Sequence, residues 1–102
     1  MCNYKIYQTD ADYVFRPWQL VQKKFNIDDY RVVYDSKVNI DTDDDRMILE
    51  RLFEKFNVSH PSDYKARSLS MSDVVELIRG DEKRYYYCDT CGWKLIWTEK
   101  LN

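Results

Sequence analysis

The sequence predicts one α+β domain, a mostly antiparallel sheet of about five strands with two helices packed on one face. Three observations predict it. Residues 43–56 carry Ile48, Leu49, Leu52, Phe53 and Phe56 at helical spacing, with Glu50, Arg51, Glu54 and Lys55 between them. The last third holds β-branched and aromatic runs separated by turns too short to join anything but antiparallel neighbours. Finally, 102 residues with 44% hydrophobic and 16% aromatic content suit a single packed core rather than a disordered chain.

The elements come in the order β-α-β-α-β-β-β. Residues 3–9 alternate apolar and polar, with Tyr4, Ile6 and Gln8 sharing one face of a strand. Asp10 to Asp12 form a polar break, and Tyr13 to Phe15 a short extended piece. Arg16 is biased away from helix by the proline after it, and Pro17 suits a first helical position. Trp18, Val21, Gln22 and Phe25 then predict a helix over 17–25. The run Tyr30 to Asp35 reads as a strand. Thr42 reads as a helix N-cap, with Asp43, Asp44 and Asp45 in the first turn, where free amides and the helix dipole favour anions. Asn57 ends that helix, residues 59–64 form an irregular connector, and residues 69–73 lead into the next strand. Val74 to Arg79, Arg84 to Cys88 and Trp93 to Trp97 are the last three strands.

Charge and cysteine usage narrow the functional classes. The net charge of −2 argues against general binding to nucleic acid or anionic membranes. No apolar run approaches the ~20 residues of a membrane span, and the N-terminus lacks a signal-peptide core. With three cysteines, an odd count, the expectation is a cytoplasmic protein rather than a secreted disulfide framework.

A family resemblance runs through residues 52–97. Leu-Phe-Glu-Lys-Phe-Asn-Val-Ser-His-Pro-Ser-Asp-Tyr (52–64), Arg-Ser-Leu-Ser-Met-Ser-Asp-Val-Val-Glu-Leu (67–77) and Tyr-Tyr-Tyr-Cys-Asp-Thr-Cys-Gly-Trp (85–93) together resemble the YodL-like domain. Its opening also matches, through Tyr4-Lys5-Ile6-Tyr7-Gln8 and through Trp18-Gln19-Leu20 after Phe15-Arg16-Pro17. The chain departs from the family pattern at Cys88 and Cys91, where valine and phenylalanine are usual, so these are not a shared metal signature. The resemblance implies a setting in Firmicutes, on phages and conjugative elements, beside antirestriction modules. It implies no catalytic mechanism.

Each motif has a functional and a structural reading. Cys88 and Cys91 have the spacing of a zinc or redox pair, but a structural zinc needs four ligands, and Cys2 and His60 do not make a second pair. Their place in a hairpin turn favours reduced thiols. His60, the single histidine, has no nucleophile beside it, and no G-x-S-x-G elbow is present. Ser68, Ser70, Ser72 and Asp73 could bind an anion, but more simply satisfy loop amides. Asp41, Asp43, Asp44 and Asp45 make an acidic patch that could mimic phosphates, against the plainer reading of a solvated helix cap. Tyr85, Tyr86 and Tyr87 with Trp93 and Trp97 put aromatics on both faces of a hairpin, one core and one open to a partner.

The expected function is a non-enzymatic protein-binding module without a cofactor. Asp41, Asp43, Asp44, Asp45, Tyr86 and Trp93 are its candidate contacts. Its expected target is a host defence nuclease, blocked in the manner of an anti-CRISPR or antirestriction protein. The alternatives are a nucleic-acid accessory module using Arg31, Lys83, Arg84, Lys94 and the hairpin aromatics, and a zinc-stabilised adaptor using Cys88 and Cys91.

Overall fold

The computed structural model describes residues 2–11, 14–40 and 42–100. Within them, five strands form one antiparallel sheet: β1 (Cys2–Thr9), β2 (Tyr30–Val38), β3 (Val74–Arg79), β4 (Glu82–Asp89) and β5 (Gly92–Lys100). Their spatial order is β2-β1-β3-β4-β5, so β1 lies inside the sheet and β2 and β5 are its edges. Helix α1 (Trp18–Val21) and a 3-10 helix (Ile27–Asp29) lie between β1 and β2, and α2 (Asp45–Val58) lies between β2 and β3.

Two helices differ from expectation at their ends. α1 is a single turn rather than a helix over 17–25. Pro17 caps it from an extended conformation, and Asp89 Oδ1 accepts from the Trp18 amide. The chain then turns so that Trp18, Val21 and Phe25 all reach one apolar cluster. α2 starts at Asp45, because the Asp44 carboxylate accepts from the Arg46 amide at 3.0 Å and takes the N-cap role. Thr42 sits two residues earlier, and its hydroxyl accepts from the Asp44 amide. At the other end α2 runs through Asn57 to Val58, and the Asn57 side chain donates back to the Phe53 carbonyl.

The two helices do not share a face. Ile48, Leu49, Leu52 and Phe56 of α2 pack with Tyr4, Ile6, Val75 and Leu77. Trp18 and Val21 pack with Val74, Tyr87 and Tyr7. Val74 and Val75 are neighbours on one strand, and successive strand side chains point to opposite faces. The sheet is therefore covered on both sides. The run Val74-Val75-Glu76-Leu77 is buried throughout, as expected for a strand with no wet face.

The β4–β5 ladder contains a bulge. Its register shifts between Tyr85, opposite Trp97, and Tyr86, opposite Leu95. Ile96 is the extra residue. It lets Ile96 and Trp97 both flank Tyr85 on the α1 side, where a regular strand would send them to opposite faces.

Two non-glycine residues among those described have left-handed backbone, Phe15 (φ 63°) and Ser72 (φ 83°). The Phe15 amide donates to Ser72 Oγ at 3.0 Å, and the Tyr30 hydroxyl donates to the Ser72 carbonyl at 2.6 Å. The Tyr87 hydroxyl donates to the Arg16 carbonyl. The irregular segment around α1 is thus tied to the sheet through backbone groups.

Candidate functional site

The acidic patch and the hairpin aromatics expected as two separate surfaces meet at Asp45. Its side chain is 7% exposed. Oδ1 accepts from Arg79, and Oδ2 accepts from Arg84 Nη1 at 2.9 Å and from the Tyr86 hydroxyl at 2.6 Å. Burial alone would raise its pKa, but Tyr86, Arg84 and Arg79 hold it below the ordinary carboxylate value. Burial and the same hydrogen bond push Tyr86 up to about 12. Asp45 and Tyr86 therefore tie α2 to the sheet, Asp45 buried and Tyr86 partly buried, so neither is the freely exposed contact that the sequence suggested. Asp43 and Asp44 remain exposed. Asp41 lies outside the described residues.

Trp93 is half-buried and meets Phe53 of α2 edge-on, with ring centroids 6.4 Å apart. It lines a groove between α2 and the β4–β5 turn that also includes Glu50, Met71 and Cys88. Cys88 is buried, and burial pushes its thiol up to about 12. Cys91 is exposed and free. Cys2 is at the opposite end of β3, its sulfur 3.7 Å from the Ile78 carbonyl. Among the described residues no group of three or more His, Cys, Asp or Glu side chains could hold a metal ion.

The serine-rich loop is held by Asp73, which is fully buried. Its Oδ2 accepts from the Ser70 amide at 2.8 Å and from Gln8 Nε2 at 3.1 Å, and Oδ1 accepts from Arg67. Burial raises its pKa to about 6, opposed by the Ser70 amide and by Arg67. This favours the structural reading of Ser70, Ser72 and Asp73. His60 is exposed and stands against the Tyr64 ring.

Two features escaped sequence reasoning. One is Glu76, which is buried on the α1 side of the sheet rather than wet. It accepts from the Tyr7 hydroxyl and has Lys83 Nζ 3.8 Å from Oε2. A carboxylate inside the run Val-Val-Glu-Leu-Ile was its signal. The other is a cleft of about 350 Å³ beside β5, lined by Trp18, Phe25, Tyr85, Ile96, Trp97 and Glu99 among others. It depends on the β4–β5 bulge, which no local pattern encodes. Trp97 is 61% exposed and Leu95 45%.

Comparison with known proteins agrees with the resemblance. The sequence pattern of the YodL-like domain matches residues 3–98. An uncharacterised protein of Bacillus subtilis (strain 168), YodL, is 39% identical over 70 residues, which cover 66% of this chain. The matched region spans 65% of that relative's length. No solved structure matches. Among the described residues, no helix is long and apolar enough to cross a membrane. With a buried polar hub at Asp73 inside its Ser-Leu-Ser-Met-Ser-Asp-Val-Val segment and family-like wording from β1 to β5, the chain belongs to the YodL-like domain family.

Proposed function

We infer that the protein is a non-enzymatic module that works by binding another protein, and that the partner seats on the β5 side. The observation that carries this reading is an edge strand with large apolar groups exposed on both faces, Leu95 and Trp97. A strand edge offers backbone donors and acceptors to an added strand, and exposed aromatics beside it supply anchoring area. Lys94, Glu99 and Lys100 along β5 suit recognition in place of indiscriminate pairing.

The proposed target class is a host defence nuclease, and the proposed setting is the cytoplasm of a cell carrying a phage or mobile element. Acidic mimicry has less support than contact through β5, because Asp45 is occupied by Arg79, Arg84 and Tyr86. The nucleic-acid reading is weakened in the same way. Arg31 is paired with Asp10, Lys83 stands by Glu76, and Arg84 is held by Asp45 and Glu82.

The test is affinity capture from lysate of bacteria with defence systems, with and without nuclease treatment, using the wild type and Trp97→Ala. The expected result is one protein recovered in both conditions and lost with Trp97→Ala at an unchanged Tm. Reconstitution of that complex from purified components then identifies the target. Recovery that vanishes with nuclease treatment, or that ignores Trp97, overturns the reading.

A further inference from the structure

We propose that the aromatic cleft beside β5 receives an arginine side chain of the partner. This rests on the protein-binding reading above and assigns the cleft its ligand chemistry.

The cleft has the size of a small-ligand pocket, about 350 Å³. Its lining includes the rings of Trp18, Phe25, Tyr85 and Trp97. Trp18 and Phe25 meet at 64° with centroids 5.1 Å apart, so the lining is made of rings set at an angle rather than one flat stack. Aromatic faces attract cations electrostatically, and a guanidinium is planar and weakly hydrated enough to lie against them. Among the described residues, Glu99 is the one charged member of the lining, and it is an acid.

Tyr85 feels the fields of both Glu76 and Glu99. Glu76 Oε2 is buried without a hydrogen-bond partner. Lys83 stands against it at 3.8 Å and opposes Glu99 across the β4–β5 ladder. Glu76 has Lys5 opposite it on β1 as well as Lys83 beside it, so the charge that the cleft itself presents is that of Glu99, an acid set among ring faces, and that combination favours a cation. A neutral apolar side chain would fill the volume but gain nothing from Glu99, which is exposed at its rim. A phosphate or acidic side chain would meet like charge. Lysine would place a compact, strongly hydrated ammonium among rings, whereas arginine can stack and still offer paired N–H groups to a carboxylate.

The experiment is an NMR titration of the full chain, followed at the tryptophan indole N–H signals. The probes are Nα-acetyl-arginine N-methylamide and its citrulline counterpart, which has nearly the same shape and no charge, each taken to about 50 mM, far above a millimolar Kd. The expected result is movement of the Trp18 and Trp97 signals with arginine and an affinity at least about fivefold lower for citrulline. Trp97→Ala removes the response, and Glu99→Gln reduces it severalfold while the Tm holds. Equal responses to arginine and citrulline overturn the cation assignment, and no response at Trp18 or Trp97 overturns the site. The titration needs no partner. An arginine response without partner capture at β5 would keep the cleft and reject the proposed function, while capture without an arginine response would do the reverse.

Discussion

The Tyr86 hydroxyl donates to Asp45 Oδ2 at 2.6 Å, joining the first turn of α2 to the middle of β4. Arg79 of β3 and Arg84 of β4 reach the same carboxylate. A charge at the start of a helix, which by itself would need only water, here ties three elements together. Mutations that treat residues 43–45 as one acidic surface would therefore mix two different effects.

Asp45→Asn is expected to lower unfolding stability by about 2 kcal/mol in urea denaturation, because two guanidinium groups and a hydroxyl lose a charged acceptor. Asp43→Asn is expected to leave the midpoint unchanged, since that side chain is fully exposed. The folded pKa of Asp45 is depressed. Its contribution is thus complete above the unfolded value, near pH 4, and is lost as pH falls through the folded one. The gap between wild type and Asp45→Asn should shrink on acidification.

Asp73 should show the opposite sign. Its folded pKa is raised to about 6, so between about pH 4 and 6 the folded state holds more protons than the unfolded state. Stability from this group falls as pH rises through that window and stays reduced above it. Relative to Asp73→Asn, the wild type should gain stability as pH drops from about 6 to about 4, measured by urea midpoints at each pH. A constant difference between the two proteins would contradict the assignment.

Both glycines have positive φ, Gly80 in the β3–β4 turn at 56° and Gly92 at the start of β5 at 113°, with nothing near the position a Cβ would occupy. Alanine there meets backbone strain and no clash. Gly80→Ala is expected to cost about 1 kcal/mol and Gly92→Ala more, because φ near 113° lies outside the left-handed well that alanine can enter. Thermal unfolding of the two variants gives the order directly.

Native alkylation should modify one thiol quickly. Cys91 is exposed, while Cys2 and Cys88 are buried, and the Cys88 thiol is further silenced by its raised pKa. Intact mass after brief iodoacetamide treatment at pH 8 should show a single adduct, mapped to Cys91 by peptide analysis. In urea, all three cysteines should react.

Much of the fold was legible because its strands and α2 carry periodic patterns. Ile48, Leu49, Leu52 and Phe56 mark α2, and all four are buried. The sides of the sheet were not legible, because Trp18, Val21 and Phe25 show only that one stripe is apolar and not which face receives it. At the site, Asp43 and Asp45 look alike in sequence, and only the arrival of Arg79 and Arg84 from distant strands separates them. The cleft was hidden for a similar reason. Its lining comes from the α1 segment, β4 and β5, and a bulge at Ile96 reverses the facing that alternation predicts.

The interior place of β1 has a consequence for how the domain is made. Asn3 pairs with Lys37 on one side and with Ile78 on the other. During synthesis β1 and β2 can pair early, but the second edge of β1 stays open until Val74–Arg79 has left the ribosome. Non-local pairing of this kind slows folding, and an open apolar edge is a template for association with other chains. A nascent chain arrested before residue 74 should therefore be sticky and dependent on chaperones, whereas release of β3 closes the sheet by insertion at its centre.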